Sequence, residues 1–437
     1  MSCNTLYFNT IISKKILLGY IVFTILYRLM LDYNYINIIS PVNFYDQFLI
    51  KLSYGFLSWL MLIVFLFLGI PYIKTPDKFI SILILFIFYF KIIPITSYIY
   101  CAPVSLDFIL YEFIYYCLIL ICCYYLPIIK LPQFPNSPWI INSIALSLIL
   151  VIIIISSVYA NFRIHLNLMD VYDLREESRG YEMPSIFHYL HNAASKILPI
   201  LLIYYLEKKQ QLMIYIIILS LLLSFGVNGL KSTFLNLFIC IFLYFFSGSP
   251  ILKRIPLIFL IVIMAATLEF LVFDTFWIDQ LFVRRLLYMP ALIDTYFFDY
   301  IRENSPLYFN AEVDGKDVAF IIGEIWRGRD YCRANNGLFS DAYTNLGSIG
   351  IIIYPIIYAI FFKSFGKVFD KKDFIVKFFA AFIIGYIMLS SFFTVTLFSH
   401  GVLLMCIVIL FMPNRNNLKE TKRINNKLNI FSKISIT

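Results

Sequence analysis

Charged residues are scarce in this sequence. Asp, Glu, Lys and Arg make up 14% of the 437 residues, whereas soluble domains contain about 25%. Hydrophobic residues account for 61%, and the mean hydropathy is +0.84. This composition excludes an ordinary soluble domain, and the long unbroken apolar runs exclude the short alternating segments of a membrane β-barrel. We therefore predict an all-α polytopic membrane protein.

Residues that hold metal ions or build disulfide frameworks are also few. The sequence has four histidines and eight cysteines, with no CxxC pair and no group at metal-ligand spacing. Most of the cysteines fall within or beside apolar runs, where they act as small apolar side chains. We expect no metal and no cofactor. No cleavable signal peptide precedes the first apolar run, and no internal repeat is visible.

The apolar runs predict about twelve transmembrane spans, because one crossing needs about 20 residues. The spans are 14–31, 52–73, 79–99, 109–129, 139–159, 187–206, 212–226, 233–247, 255–273, 349–363, 374–392 and 396–412. Two pairs, 212–247 and 374–412, are tight hairpins of short helices. An even number of spans places both termini on the same side of the membrane.

Lysine and arginine are distributed unequally between the two sets of loops. One set, with the C-terminal tail, holds 13 + 6 = 19 of them, and the other set holds 12 in longer loops. The positive-inside rule makes the first set cytoplasmic, so the net charge of +9 reports orientation and not nucleic-acid binding. Arginine supplies three of the 19 inner charges but nine of the 12 outer ones. Because its planar fork grips phosphate and carboxylate, we predict an anionic ligand outside, with pairing to outer acids as the alternative.

We predict one integral membrane domain with two large outer loops. The loops are 160–186 and 274–348, and a basic cytoplasmic tail covers 414–437. Within the larger loop, Phe282–Tyr300 mixes apolar residues with charges at helical spacing. This pattern predicts helices that lie at the membrane interface and break at Pro290.

Four ionisable residues fall within or near predicted spans, where burial of a charge is costly. We expect Arg28, Lys91 and Glu112 to form buried pairs, with a proton relay as the alternative that no other feature of the sequence supports. Glu269 lies near the outer end of the ninth span, just before the large loop, and we expect it to bind an arginine of that loop.

The segment that re-enters the membrane is rich in amides, acids and aromatic rings. Asn335, Asn336 and Tyr343 offer the hydrogen bonds and ring faces that a sugar-binding cleft needs. Asp341 is either part of that cleft or a cap for the next helix.

Several of these segments together resemble the oligosaccharide repeat-unit polymerases, the Wzy-type O-antigen polymerases. The resemblance extends over about residues 160–412. It rests on VYDLR at 171–175, a Gly-Leu-Lys-Ser turn at 229–232, RRLLYMPALIDTYFFDY at 284–300, ANNGLFSDAYTNLGSIG at 334–350 and TVTLFSHG at 394–401.

The resemblance implies a GT-C-like membrane glycosyltransferase in the bacterial inner membrane. Such enzymes act at the periplasmic face and join oligosaccharide units carried on undecaprenyl pyrophosphate, without a metal or nucleotide sugar. A chain-length regulator in the membrane is an implied partner, and nucleic acid is not. The leaving pyrophosphate develops negative charge, which arginines near the membrane surface would stabilise.

The resemblance and the charge pattern together assign candidate residues to each role. The pyrophosphate and glycan are assigned to Arg175, Arg179, Lys231, Arg284, Arg285, Arg327, Arg329, Arg333, Asn335, Asn336 and Tyr343. His400 is the leading candidate for the general base that activates the acceptor hydroxyl, since it lies about one turn inside the last span. Asp341 and Glu324 are alternative bases.

Three other functions remain open at this point. A lipid-linked oligosaccharide flippase has a similar number of spans, but its charges face a central cavity and its loops are short. An O-antigen ligase shares the donor and the fold, but uses lipid A-core as acceptor. A membrane acyltransferase needs a deeply placed histidine with partners.

Overall fold

The computed structural model describes residues 14–43, 52–132, 137–164, 171–246, 250–310, 312–328 and 332–414. These residues form an all-α polytopic membrane protein. Nine of the described helices are long and apolar enough to cross a membrane, and three further apolar helices are shorter. Each of the twelve predicted spans contains helix, but the number of crossings stays a prediction.

The helices before residue 161 include two π-helical segments. They are α1 (Lys14–Asn34), π1 (Tyr35–Ile39), α2 (Ser40–Asn43), α3 (Leu52–Lys74), α4 (Phe79–Ile87), π2 (Phe88–Ile92), α5 (Ile93–Cys101), α6 (Leu106–Tyr125) and α7 (Pro138–Ala160). The next six are α8 (Val171–Arg179), α9 (Ser185–Lys208), α10 (Gln211–Asn228), α11 (Lys231–Phe246), α12 (Pro250–Lys253) and α13 (Ile255–Phe273).

The remaining elements include a two-stranded antiparallel hairpin in which Val313 faces Lys316. They are π3 (Asp279–Tyr288), α14 (Met289–Asn304), β1 (Glu312–Val313), β2 (Lys316–Asp317), α15 (Val318–Arg327), α16 (Phe339–Phe369), α17 (Phe374–Ser390), α18 (Phe393–Leu397) and α19 (Val402–Phe411).

Two compact units divide the chain. Unit 1 comprises Met1–Ile129, Ser249–Lys363 and Ile384–Phe393. Within it, α1 packs against α13 and α5, and α3 packs against α5 and α6. Unit 2 comprises Lys130–Gly248, Ser364–Ile383 and Thr394–Thr437. Within it, α7, α9 and α10 pack on one another, and α19 packs on α9.

Local sequence signals explain where several helices begin and end. Ser105 Oγ accepts the Phe108 backbone N–H at 3.3 Å at the start of α6, and Ser137 Oγ accepts the Ile140 N–H at 3.4 Å at the start of α7. Both serines satisfy a backbone donor that has no partner within its own helix. Asn161 ends α7 in the left-handed conformation, at φ 47°.

The tenth predicted span begins earlier than expected. Helix α16 starts at Phe339, 349 − 339 = 10 residues before the predicted boundary, but it is interrupted at Gly347 with φ 56° and ψ −138°. The interruption frees two carbonyl groups, and the backbone N–H groups of Leu307 and Tyr308 donate to Thr344 O and Asn345 O. A side chain at Gly347 would lie 2.9 Å from Pro306 Cγ.

The segment Phe282–Tyr300 differs from its predicted form. Helical structure continues from π3 into α14 without a break at Pro290. Eleven of the sixteen residues of α14 are buried. The predicted helices therefore form, but the predicted break at Pro290 is wrong, and α14 packs inside unit 1. Their position at the membrane interface stays a prediction.

Candidate functional site

The three described π-helical segments all lie in unit 1 and are in contact. Segment π3 contacts both π1 and π2, and it also contacts α5. The rings of Tyr35 and Tyr288 meet edge to face with their centroids 5.2 Å apart. A π-helical turn widens the helix and frequently marks a functional site. The ionisable groups around these segments therefore form the candidate functional site.

Lys91, in π2, lies at the centre of a buried polar cluster. Its ammonium group forms an ion pair with Asp294 and donates to Pro290 O at 2.7 Å. Asn336 Nδ2 and Ser340 Oγ donate to Asp294 Oδ1 at 2.8 and 2.6 Å. Lys91 is 1% exposed and Asp294 is 0% exposed, so the pair is fully desolvated.

Glu112, on α6, adds a second carboxyl group to this cluster. It is 0% exposed and lies within hydrogen-bonding reach of Asp294. Neither Glu112 oxygen has a hydrogen-bond donor in the described part of the chain. The cluster of Lys91, Glu112 and Asp294 thus holds two carboxyl groups and one ammonium group; we call it the Lys91 cluster.

Arg28, on α1, forms a second buried cluster that is balanced in charge. Its guanidinium group pairs with Asp32, donates from Nε to Thr96 Oγ1 at 2.9 Å, and donates from Nη2 to Thr96 O at 2.7 Å. Ser97 also hydrogen-bonds to the Asp32 carboxylate. Trp59 completes the surroundings, with its ring centroid 5.1 Å from the guanidinium carbon. We call this group the Arg28 cluster.

A fourth buried carboxyl group joins α1 to π3. Asn34 Nδ2 donates to Asp279 Oδ1 at 2.7 Å. Asp279 Oδ2 and Asn34 Oδ1 are buried, and neither has a partner among the described residues. Burial raises the pKa of Asp279 to about 6, and the hydrogen bond from Asn34 opposes this shift only in part.

Asp341 is buried in the first turn of α16, where four neutral donors surround it. They are Phe393 N at 2.6 Å, Asn345 Nδ2 at 2.7 Å, Tyr354 Oη at 3.2 Å and Tyr358 Oη at 3.3 Å. The expected cap on its own helix is not what forms. Asp341 instead satisfies the first N–H of α18, 52 positions away in sequence.

The arginines of the large loop differ in their surroundings. Arg333 pairs with Asp317 at 2.5 Å, and Arg302 pairs with Asp299 at 3.4 Å, so acids already neutralise both. Arg284 is half-buried in π3, whereas Arg285 is exposed and forms no ion pair within the described ranges.

Other predicted loop residues lie nearby in sequence but differ in exposure. Arg327 ends α15, and its side chain lies outside the description, as does the whole of Arg329. The carboxylate of Glu324 forms an ion pair with Lys316 and is partly exposed.

Glu269 does not bind an arginine as expected. Its carboxylate accepts the backbone N–H groups of Trp277 and Ile278 at 2.9 and 2.8 Å, because the chain turns back over the end of α13.

The three residues predicted to contact sugar are not grouped on one surface. Asn335 is exposed, whereas Asn336 is 2% exposed and belongs to the Lys91 cluster through Asp294. Tyr343 is 7% exposed because its ring stacks between Phe298 and Phe339, with centroids 4.9 and 5.8 Å away. Two of the three therefore serve the interior of unit 1.

Unit 2 contains the predicted cations from outside the large loop. Arg175 Nε donates to Gly229 O at 3.3 Å and so ties α8 to the turn after α10. Arg179 is exposed in the last turn of α8, and Lys231 is exposed at the start of α11. Next to them, Arg163 forms an ion pair with Glu177 at 2.9 Å.

Two histidines of unit 2 lie in different settings. His400 is half-buried in the turn before α19, where Gly401 adopts φ 71°; it is not inside a helix as expected. His191 is buried, and Asn228 Nδ2 donates to its Nδ1 at 3.3 Å. Because the Leu230 N–H fixes Asn228 Oδ1, His191 Nε2 carries the proton and donates to Ser224. In that tautomer His191 does not activate Ser224 as a nucleophile.

The sequence indicates only two of the three residues of the Lys91 cluster. Lys91 and Glu112 stand out as ionisable residues within spans, which predicts buried pairing. Asp294 gives no such signal, because its neighbours place it in a polar loop. No family model, curated protein or solved structure matches the chain.

Proposed function

We propose that the chain is a glycosyltransferase that polymerises oligosaccharide repeat units carried on undecaprenyl pyrophosphate. In this reaction the bond between the anomeric carbon and the pyrophosphate oxygen of the growing chain breaks. A new bond forms to a hydroxyl oxygen of the next lipid-linked unit, and a base accepts the hydroxyl proton. The proposed location is the outer face of a bacterial inner membrane, with both termini in the cytoplasm.

The exposed charge of Arg285 is the observation that carries this proposal. Arg285 lies in π3, twelve residues beyond the end of the membrane-length helix α13 (285 − 273 = 12). It has no acid partner in the described ranges, in contrast to Arg302 and Arg333. A guanidinium group in this setting suits a pyrophosphate that develops charge as it leaves.

Glu269 supports the proposal by holding this segment in place. Its carboxylate receives the two N–H groups at the start of the helical turn that leads into π3. A charge that stabilises a transition state must be held rigidly, since reorganisation during the reaction reduces its effect. The backbone anchor provides such rigidity next to Arg284 and Arg285.

The identity of the general base stays a prediction. Asp341 is the least suited of the three candidates, because four donors occupy its oxygens and it is 1% exposed. Glu324 and His400 are more accessible. His400→Ala and Glu324→Gln should separate them, since only loss of the base lowers turnover without weakening donor binding.

The decisive experiment reconstitutes the purified protein in liposomes with a lipid-linked repeat unit and measures product length on gels. Arg285→Ala should lower the rate of polymer formation by about 100-fold, the loss typical of a missing transition-state donor. Arg285→Lys should recover part of the rate, because it restores charge without the planar fork. Arg302→Ala is the matched control and should polymerise normally, since Asp299 already neutralises that arginine.

Two results would overturn the proposal. One is a wild-type protein that makes no polymer from the lipid-linked unit alone; if it transfers the unit only after lipid A-core is added, the ligase alternative is correct. The other is an Arg285→Ala variant as active as wild type. A chain-length regulator added to the same liposomes should change product length and not the need for Arg285.

A proton-coupled transporter for a lipid-linked oligosaccharide is the second candidate function. The Lys91 cluster favours it, because buried ionisable groups in membrane helices mark proton and ion pathways. The same liposomes distinguish the two functions. A transporter moves a fluorescent lipid-linked unit across the bilayer, with a rate that depends on the pH gradient, and forms no new glycosidic bond.

A further inference from the structure

We propose that Glu112 and Asp294 bind one proton between them and form a carboxylic acid–carboxylate pair inside unit 1. This inference goes beyond the proposed glycosyltransferase and does not depend on it. The ligand of the site is a proton, and Lys91 is the cation that neutralises the remaining negative charge.

The Lys91 cluster contains one more carboxyl group than its single cation can balance. Lys91 pairs with Asp294, and this pair alone is neutral. An ionised Glu112 would add a second negative charge with no cation left to balance it. All three side chains are at most 1% exposed, and an uncompensated charge at that depth is highly unfavourable. One bound proton makes the cluster neutral.

The hydrogen-bond donors around Glu112 and Asp294 also indicate one bound proton. Two ionised carboxylates are both acceptors, so they form a hydrogen bond with each other only when one carries a proton. Glu112 lies within that reach of Asp294. No other donor reaches the Glu112 oxygens from the described residues, whereas Asp294 already accepts from Asn336 and Ser340. The donors favour ionised Asp294 and a proton on Glu112.

Among the described residues, the neighbouring groups contribute no second cation. Tyr115 and Tyr116, on α6, are the other titratable groups beside Glu112, and both are fully buried. Asp341, on α16, also lies near Tyr115, and it is not a cation. From π2 and α14 the facing charges are Lys91 and Asp294 themselves.

The shared proton has a mechanical consequence. It joins α6, which carries Glu112, to α14, which follows directly after π3. Loss of the proton would set two carboxylates against each other at this junction. The proton therefore helps to fix the segment on which Arg284 and Arg285 lie.

Infrared spectroscopy of the purified full-length protein tests the site directly. At about pH 8, where Asp279 is ionised because its pKa is about 6, wild type should show the carbonyl band of a protonated carboxyl group. The band should shift when the protein is labelled with glutamate carrying ¹³C in the side-chain carboxyl group. Labelling requires no mutation, so the result does not depend on a variant that folds.

Three variants test how each residue of the cluster contributes to the carboxyl band. Glu112→Gln should abolish the band with little change in melting temperature, because a neutral amide replaces a neutral acid. Asp294→Asn should also abolish it, since Lys91 then takes Glu112 as its ionised partner. Lys91→Met should keep the band or strengthen it, because two carboxyl groups lose their cation. Glu324→Gln is the control and should leave the band unchanged.

Three outcomes would overturn the proposal. One is the absence of a glutamate carboxyl band in labelled wild type at about pH 8. The second is a glutamate band that persists in Glu112→Gln or in Asp294→Asn. A large drop in the melting temperature of folded Glu112→Gln would also contradict it, because that drop indicates an ionised Glu112.

Discussion

The Arg28 and Lys91 clusters lie in the same unit and are both buried, but their charges are arranged differently. Arg28 and Asp32 cancel, and neutral donors and acceptors satisfy the rest of the guanidinium group and carboxylate. The Lys91 cluster has one carboxyl group too many. Arginine does not lose its proton in proteins, whereas a carboxyl group gains one readily. The first cluster is therefore fixed in charge, and the second can change its charge by binding a proton.

The difference separates two uses of a buried charge. A balanced pair holds helices in register and responds little to pH. An unbalanced cluster stores a protonation equilibrium in the interior, which is the more useful property for a switch or relay. If charge balance and burial, and not position alone, decide how much each group stabilises the fold, removing each group should change the free energy of unfolding in a definite order.

The largest effect is expected when the balanced cluster loses its acid. Asp32→Asn leaves the Arg28 guanidinium buried without a counter-charge, and it should lower the free energy of unfolding by about 3–5 kcal/mol. Titration of the micelle-solubilised protein with sodium dodecyl sulfate measures this. Asp314→Asn, in an exposed turn, is the control and should change little. A loss at Asp32 below about 1 kcal/mol would break the comparison.

The second effect concerns Asp279, an unbalanced carboxyl group outside the spans. Its pKa is raised to about 6, so the folded state gains stability from proton binding at low pH and loses it as pH rises through about 6. Asp279→Asn removes that loss, because the amide carries no charge at any of these pH values. We expect a gain of about 2 kcal/mol at about pH 8 that disappears near about pH 4.

Chemical unfolding at a series of pH values measures this difference. Glu312→Gln is exposed in β1 and serves as the control, with no pH-dependent gain. A gain of equal size at all pH values would assign the effect to packing, and it would contradict the charge argument.

The third effect concerns Asp341, a buried carboxylate held by neutral donors only. Tyr358→Phe removes one of its four donors, and it should lower the free energy of unfolding by about 1 kcal/mol, the value of a typical intramolecular hydrogen bond. Tyr116→Phe is a matched control, because the Tyr116 hydroxyl is buried without a partner in the described ranges. The control should be neutral or slightly stabilising. Equal losses in both variants would mean that ring packing, not the donor, stabilises Asp341.

The smallest effect is expected at the exposed pair of Arg163 and Glu177, which is balanced but not buried. Hydrogen bonds from Arg163 and then Tyr181 lower the pKa of Glu177, so its contribution is present above the ordinary glutamate range and is lost as pH falls through the lowered pKa. Glu177→Gln should cost less than about 1 kcal/mol, and added salt should reduce even that. A loss as large as that of Asp32→Asn would show that burial is not the deciding factor.

Much of the helical architecture follows from local patterns. Apolar runs of membrane length predict helices, and each of the twelve predicted spans contains one. The limits of such reasoning lie where a helix is apolar on all sides but interrupted by acids. Because of Asp294 and Asp299, the sequence predicts an outer loop where α14 forms, although most of the helix is buried. The hydropathy of a segment does not identify the side chain that will neutralise its acid.

The sequence likewise does not identify which residues pair with the charges of the candidate site. Ionisable residues within spans predict that Arg28, Lys91 and Glu112 have roles in the interior, and all three are buried. The partner of Lys91 comes from a segment that gave no such signal, because Asp294 lies in a predicted outer loop. The expected arginine for Glu269 is replaced by backbone N–H groups, because a turn of the chain brings donors closer than any side chain does.

The amino-acid sequence by itself determined that this chain forms apolar membrane helices, and it marked the few charges that such helices bury. Both properties are local, since hydropathy and helix length depend on neighbours along the chain. Only the tertiary structure decided which charges meet. Lys91, Glu112 and Asp294 span 294 − 91 = 203 positions, and their excess carboxyl group becomes visible only when three helical segments are packed together. Charge balance is a property of that packing, because it depends on distances that no single segment specifies.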